Sequence, residues 1–145
     1  MDRRLRTILY ISDSRLTSAG EELALQSLVS AAREINALAG ITGALMFTQT
    51  NFIQFVEGPE RAVGTLLEAL GRDERHENMQ ILLDGRASDR RFARWTLAYC
   101  GPPQFVQADI LAAAAGGDKN DDAKWRLVDM IFAFAAAGHG SSAGP

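Results

Sequence analysis

The sequence predicts an α+β fold in which two helices cover one face of a mixed five-stranded sheet. Its first 100 residues alternate short β-branched or aromatic runs with longer runs of helical periodicity, in the order β-α-β-β-α-β-β. The chain has 145 residues, 47% of them hydrophobic and 23% charged, as in ordinary globular domains that bury their own core. This order of elements is the ferredoxin-like βαββαββ arrangement.

The first strand and the first helix are predicted from a β-rich run and from an apolar stripe. Residues 7–12 form the strand, in which Tyr10 and Ser12 share one face. Thr17 or Ser18 can cap the helix that follows. The apolar stripe of this helix ends at Asn36, so we expect this amide to be buried.

The second and third strands are predicted at residues 41–48 and 51–58. The connection at residues 49–51, which includes the first residue of the third strand, is tight and indicates a hairpin. Pro59 then starts a second helix, at a position where its missing N–H is harmless, and Gly71 ends it.

The last two strands of the sheet are predicted from weaker signals. A charged connection at residues 72–76 leads to a fourth strand at residues 79–83. Residues 84–91 are polar and predict a loop, and residues 95–100 predict the fifth strand.

The C-terminal part has a different character. Residues 104–115 predict an alanine-rich helix, and a second helix runs from Asp121 or Asp122 to about residue 137. The second helix is apolar nearly all round, so we expect this pair to cover the open sheet face and to mediate self-association or partner binding. The predicted organisation is a domain at residues 1–101, a helical pair at 102–138 and a flexible tail at 139–145.

Composition excludes several classes of function. A net charge of −3 argues against nucleic acid as a partner. The single cysteine, Cys100, excludes an internal disulfide, and with only two histidines a structural zinc site is not expected. The sequence has neither a signal peptide nor a membrane-spanning run, so we expect a cytoplasmic protein without membrane contact.

Three polar residues occupy positions where the pattern predicts apolar side chains: Tyr10, Asn36 and Gln54. Alone, each has an ordinary explanation, namely a satisfied core tyrosine, a helix cap and an edge-strand amide. An unpartnered carboxamide in an apolar strand costs about 1–3 kcal/mol, so Gln54 needs a polar partner. Together, the three predict a ligand pocket between the helices and the sheet.

Charged and aromatic residues around this pocket have two interpretations each. The charged connection around Asp73, Arg75 and His76 is either a solvated loop or a grip on a phosphate or ribose chain. Trp95 is either a core residue or the neighbour of a bound ring. We find no catalytic triad and no phosphate-binding glycine loop, and Cys100 has no neighbouring base, so we assign no catalytic residue and expect no enzyme.

With these residues in place, the chain resembles the BLUF family, sensors of blue light using FAD, over roughly residues 5–100. Five motifs in the family's order carry the resemblance: residues 9–12 (LYIS), 36–45 (NALAGITGAL), 52–58 (FIQFVEG), 72–76 (RDERH) and 90–95 (RRFARW). The resemblance implies a ferredoxin-like fold with FAD bound non-covalently, its isoalloxazine ring between the two helices. FMN carries the same ring and stays open as the cofactor.

The resemblance also implies roles for individual residues. Tyr10 would donate an electron and a proton to the excited flavin, and Gln54 would be the hydrogen-bond switch between Tyr10 and the ring. Asn36 would bind the ring's polar edge. Asp73, Arg75 and His76 would contact the ribityl and phosphate end.

Trp95 matches the tryptophan that many members have in strand five near the glutamine, so the resemblance implies a photoactive and signalling role for it. Two residues later the family often has methionine, and this chain has Leu97. This departure puts the usual signal route through strand five in doubt.

The sequence thus predicts a blue-light photoreceptor that signals through its C-terminal helices, either across a homo-oligomer or to a protein partner. Two alternatives stay open. One is a light-insensitive dimeric module that binds a small ligand. The other is an acylphosphatase-like enzyme, although residues 12–15 are a poor substitute for its glycine-rich arginine loop.

Overall fold

The structure, a computed structural model, describes residues 4–16, 20–48, 50–100 and 121–138. In chain order these residues form β1 (Leu5–Ser14), α1 (Glu21–Ala39), β2 (Thr42–Phe47), β3 (Asn51–Gly58), α2 (Glu60–Gly71), β4 (His76–Ala87), β5 (Ala98–Cys100) and α3 (Asp121–Gly138). Among these helices none is long and apolar enough to cross a membrane. The predicted helix at 104–115 and the tail lie outside the described residues.

The five strands form one mixed sheet in the order β4-β1-β3-β2-β5. Neighbouring strands are antiparallel, except that β5 runs parallel to β2. One rung of the sheet crosses all five strands and consists of Ile81, Tyr10, Gln54, Leu45 and Tyr99. The observed sheet confirms the predicted ferredoxin-like α+β class.

Each face of the sheet is covered by different helices, because successive strand residues point to opposite sides. Tyr10 and Val56 pack with residues of α2, whereas Leu45 and Phe52 pack with residues of α1. On the opposite face Leu9 and Phe55 belong to a core that includes four buried residues of α3: Leu127, Val128, Ile131 and Ala135. The last helix therefore covers the open sheet face, as predicted.

The fourth and fifth strands differ from the prediction. β4 extends from His76 to Ala87 rather than from 79 to 83, because it is an edge strand that exposes many side chains and so lacks a continuous apolar run. β5 is only three residues long. Its predicted first half belongs instead to the segment of residues 88–97, which we call the β4–β5 segment.

A buried carboxylate holds the β4–β5 segment. Glu57, at the end of β3, is fully buried and accepts backbone N–H bonds from Arg91 at 2.8 Å and Phe92 at 2.6 Å. The Thr42 hydroxyl donates a third bond at 2.9 Å. Three donors compensate for the desolvation of the carboxylate, so Glu57 fixes this segment to the sheet.

Candidate functional site

A pocket lies between α1, α2 and the sheet, with about 790 Å³ of empty space including its part open to solvent. Its lining comprises Tyr10, Leu28, Ala31, Ala32, Ile35, Asn36, Leu45, Phe52, Gln54, Leu66, Ala69, Leu70, Asp73, Arg75, His76 and Leu97. The predicted pocket is therefore present, and all three polar residues that predicted it line it.

Tyr10 and Gln54 meet on the floor of this pocket. They lie opposite each other on the adjacent strands β1 and β3, and the Tyr10 hydroxyl donates a 2.5 Å hydrogen bond to Oε1 of Gln54. Tyr10 is 2% exposed and Gln54 is 5% exposed. Burial, with a smaller contribution from the Asp73 charge, raises the pKa of Tyr10 above its ordinary value of 10.0, so the phenol is protonated at neutral pH.

This bond identifies the polar partner that the sequence required for Gln54. With its oxygen accepting from Tyr10, the carboxamide has its amino group left as a donor. Gln54 also lines the pocket, so a ligand acceptor on the floor can be reached by that donor.

Asn36 forms part of the wall, where the last turn of α1 places it. The backbone carbonyl of Asn36 accepts the N–H of Gly40, a residue at φ 74°, and also that of Ile41 at 2.9 Å. The left-handed conformation at Gly40 ends the helix, which is a geometry that favours glycine. The side chain is 1% exposed, and its Nδ2 donates to the Thr96 carbonyl at 2.7 Å. Its Oδ1 thus remains as an acceptor for a ligand.

Asp73 and Arg75 stand at the mouth of the pocket as an ion pair. Both Nε and Nη2 of Arg75 bond to the carboxylate, the shortest distance being 2.6 Å between Nη2 and Oδ2. Asp73 also accepts the backbone N–H of Arg75 at 3.0 Å. These bonds from Arg75 hold the pKa of Asp73 below its usual range. The pair keeps Nη1 of Arg75 as a donor toward an anion.

His76 lines the pocket, but both of its ring nitrogens are engaged within the protein. Nδ1 lies 2.7 Å from the Ser12 hydroxyl oxygen, and Nε2 lies 2.6 Å from the Leu70 carbonyl. The expected contact between His76 and the ligand's phosphate end therefore has no ring nitrogen left to make it.

Trp95 and Leu97 lie on different sides of the sheet. Leu97 lines the pocket, whereas Trp95 packs against Phe92 and Phe132 on the side covered by α3. The resemblance implied that Trp95 lies in the fifth strand near Gln54. β5 begins only at Ala98, so Trp95 precedes the strand, and its side chain lies in the core on the side opposite the pocket.

Two contributors to the site had no assigned function in the sequence. Ser12 is 1% exposed and bonds to His76. Its predicted position on the same strand face as Tyr10 was the one sequence feature that could have pointed to a role near the pocket. Arg33 donates from Nε to the Leu97 carbonyl at 2.9 Å and had no signal, because an arginine on an amphipathic helix is ordinarily solvated.

The residues present fit an isoalloxazine ring. Alanines at 31, 32 and 69 leave space between the helices, and apolar side chains form the walls. Ile35 lines the pocket and is still 57% exposed, so a flat apolar ring would cover it. The ring's polar edge would meet the donor of Gln54 and the acceptor of Asn36.

Comparisons with known proteins agree with this fit. Residues 5–98 match the family described as BLUF, sensors of blue-light using FAD. Over 90 residues the chain is 34% identical to the blue light- and temperature-regulated antirepressor BluF of Escherichia coli (strain K12), which covers 62% of the chain and 22% of that protein. The chain thus spans about a fifth of that relative's length.

Solved structures share the fold. The photo-activated state of BlsA superposes with a TM-score of 0.76 at 22% identity, covering 88% of this chain and 94% of that one. The dark state of BlrB, described as a BLUF protein, gives a TM-score of 0.74 at 24% identity, covering 90% and 96%. At these identities the likeness is one of fold alone.

Proposed function

The chain belongs to the BLUF family of blue-light sensors that use FAD, and from this premise we propose that it is a photoreceptor whose flavin lies non-covalently in the pocket between α1 and α2. The pocket residues support this placement, since mostly apolar walls surround the polar pair Tyr10 and Gln54 on the floor and the amide of Asn36. FMN carries the same ring and could occupy the same space.

Three sets of residues hold the flavin in this proposal. Asn36 accepts a hydrogen bond from the ring's N–H at Oδ1, while its Nδ2 stays on the Thr96 carbonyl. Gln54 donates to the ring from its amino group. Asp73 and Arg75 bind the ribityl and phosphate end, where Nη1 of Arg75 supplies positive charge.

When bound, the flavin supplies absorption of blue light and an excited state that accepts an electron. Tyr10 would supply that electron, and its hydroxyl proton lies on the short bond to Gln54. The carboxamide of Gln54 would exchange its donor and acceptor ends at the pocket by rotating or by tautomerising. The pocket would then offer the ring a different hydrogen-bonding group, which is the proposed origin of a shift in the absorption band.

The output passes, in our proposal, from the pocket to the C-terminal helices and from there to a second copy or a protein partner. Leu97 lines the pocket, and Trp95 contacts Phe132 of α3 with ring centroids 5.6 Å apart. Trp95 and Leu97 are separated in the chain by Thr96 alone, so one short stretch of backbone contacts both the pocket and α3. This geometry favours a signalling role for Trp95 over a photoactive one.

The observation that carries the proposal is the 2.5 Å bond between Tyr10 and Gln54 on a pocket floor. The test is an absorption spectrum before and after blue light. We expect yellow protein whose flavin band shifts to the red on illumination and recovers in darkness. Colourless protein that takes up no added FAD would contradict the proposal, and a featureless visible spectrum from a dimer would favour the light-insensitive module.

A further inference from the structure

We propose that Ser12, His76 and Leu70 form a hydrogen-bonded bridge that positions α2 over the flavin ring. His76 is then a positioning residue for the ring site and does not bind the phosphate end. The inference rests on the proposed function, because it concerns the geometry of the flavin pocket. The three residues are called the histidine bridge below.

The two bonds of the bridge define its protonation pattern. The Leu70 carbonyl can only accept, so Nε2 of His76 carries the hydrogen of the 2.6 Å contact. In the neutral ring Nδ1 is then the acceptor, and the Ser12 hydroxyl donates to it at 2.7 Å. The bridge therefore fixes the Nε2–H tautomer.

The bridge ties α2, one of the two helices between which the ring is proposed to lie, to the sheet that forms the pocket floor. Ser12 lies on β1 two residues beyond Tyr10, and Leu70 lies in the last turn of α2. The Leu70 carbonyl also accepts the N–H of Asp73 at 3.2 Å, which is the residue at the pocket mouth. The backbone N–H of Arg72 reaches the same carbonyl, so the imidazole is a further donor to a carbonyl of the last helical turn that the chain beyond the helix already caps.

The His76 ring is also held on its faces and edges. It is 8% exposed, and its centroid lies 6.2 Å from the rings of both Tyr10 and Phe52. A side chain with both nitrogens bonded and its ring packed has lost most of its rotamer freedom. Such a fixed side chain can set the distance between β1 and α2, whereas binding a phosphate group would require it to give up one of these bonds.

This placement predicts how the pocket responds when the bridge is broken. Without it, the end of α2 is tied to β1 by fewer contacts, and a smaller fraction of molecules holds the ring-competent spacing. Apparent affinity falls in proportion to that fraction. The loss must be equal for any ligand that carries the ring, with or without phosphates.

The experiment titrates the purified apoprotein and its variants with riboflavin, which lacks phosphate, and with FAD. Ser12→Ala is expected to weaken both ligands by about fivefold to tenfold, as for one buried hydrogen bond, with their affinity ratio unchanged. Loss of FAD affinity alone would show that His76 serves the phosphate end. Unchanged affinity for both ligands would equally overturn the proposal.

Substitutions of His76 test the same bridge from its centre. His76→Gln keeps an N–H donor near the Leu70 carbonyl, whereas His76→Phe keeps the ring shape and loses both bonds. We expect the His76→Gln variant to bind riboflavin more tightly than the His76→Phe variant, and both to bind it more weakly than wild type. Equal losses in the two variants would contradict a hydrogen-bonded role.

Nitrogen NMR of the labelled apoprotein tests the bridge without flavin. The chain has two histidines, so His139→Gln leaves His76 as the single signal. The spectrum is recorded at a pH where the ring is neutral; we then expect the Nε2–H tautomer, and an Nδ1–H tautomer would overturn the bridge. If wild-type protein binds neither ligand, the proposed function and the positioning role fail together, while this measurement still decides whether the bridge exists.

Discussion

The Tyr10 hydroxyl donates a 2.5 Å hydrogen bond to Oε1 of Gln54 across adjacent strands of one sheet. The two residues are brought together by the register of β1 and β3, which leaves little freedom for either backbone. Their relative position is therefore set before any ligand arrives. Such preorganisation is what proton-coupled electron transfer over a short distance requires.

Replacing Tyr10 by Phe removes the proposed electron and proton donor. We expect Tyr10→Phe to bind flavin and to lose the red shift under blue light. The variant also leaves Oε1 of Gln54 without its partner, at a cost of about 1–3 kcal/mol in unfolding free energy. Tyr99→Phe is the control, because Tyr99 is the other tyrosine of the chain and does not line the pocket. A full shift in Tyr10→Phe would refute the assignment.

Gln54→Leu tests the switch itself. The substitution keeps the side-chain size and removes both ends of the amide, so we expect bound flavin with no light-induced shift. Gln80→Leu is a matched control on β4, where the glutamine is exposed. Absorption spectra of both proteins in darkness and under blue light decide the matter. A normal photocycle in Gln54→Leu would mean that another group is the switch.

Alkaline pH should destabilise the fold through Tyr10. Its pKa is raised in the folded protein, so above the ordinary value of 10.0 the unfolded chain binds fewer protons than the native state. Stability from this group is complete below pH 10 and falls by up to about 1.4 kcal/mol per pH unit above it. Urea unfolding between pH 9 and about 11 should show a weaker dependence in Tyr10→Phe. Equal slopes in both proteins would be inconsistent with the burial of Tyr10.

Glu57→Gln should destabilise the protein without altering the pocket floor. An amide in place of the carboxylate faces two backbone N–H donors, from Arg91 and Phe92, and can accept fewer bonds. We expect a loss of about 2–4 kcal/mol in unfolding free energy. The exposed Glu77, changed to Gln, is the control and should stay within about 0.5 kcal/mol of wild type. Chemical denaturation measures both.

Arg75→Ala should distinguish the phosphate end from the ring end of the ligand. We expect FAD affinity to fall by about tenfold and riboflavin affinity to change less, because charged hydrogen bonds to phosphate are lost. Arg72→Ala removes a neighbouring exposed charge and should leave both affinities near wild type. Equal losses for both ligands in Arg75→Ala would argue against a phosphate contact.

The sequence predicted the parts of the fold that depend on strong apolar patterns. β3 and α2 appear where periodicity placed them, and so does the pocket, because Tyr10 and Gln54 interrupt such patterns. The length of β4 could not be predicted, since an edge strand pairs through its backbone and tolerates exposed polar side chains.

The side of the sheet on which Trp95 lies could not be predicted from the sequence, for a related reason. The β4–β5 segment is fixed by contacts that are distant in sequence, above all the bonds from its backbone to Glu57. No local pattern reports such contacts, and a tryptophan in an apolar run looks the same on either face of a sheet.

Ile81, Tyr10, Gln54, Leu45 and Tyr99 lie on one rung that crosses all five strands. A slip of one residue between β1 and β3 would place Leu9 or Ile11 opposite Gln54 and turn the side chains to the other face. The optical response that we propose would thus require native strand pairing. In a refolding experiment, the fraction of molecules that show the red shift under blue light would then measure the fraction with the native pairing of β1 and β3. Circular dichroism would not make this distinction, because a sheet with shifted pairing has the same strand content.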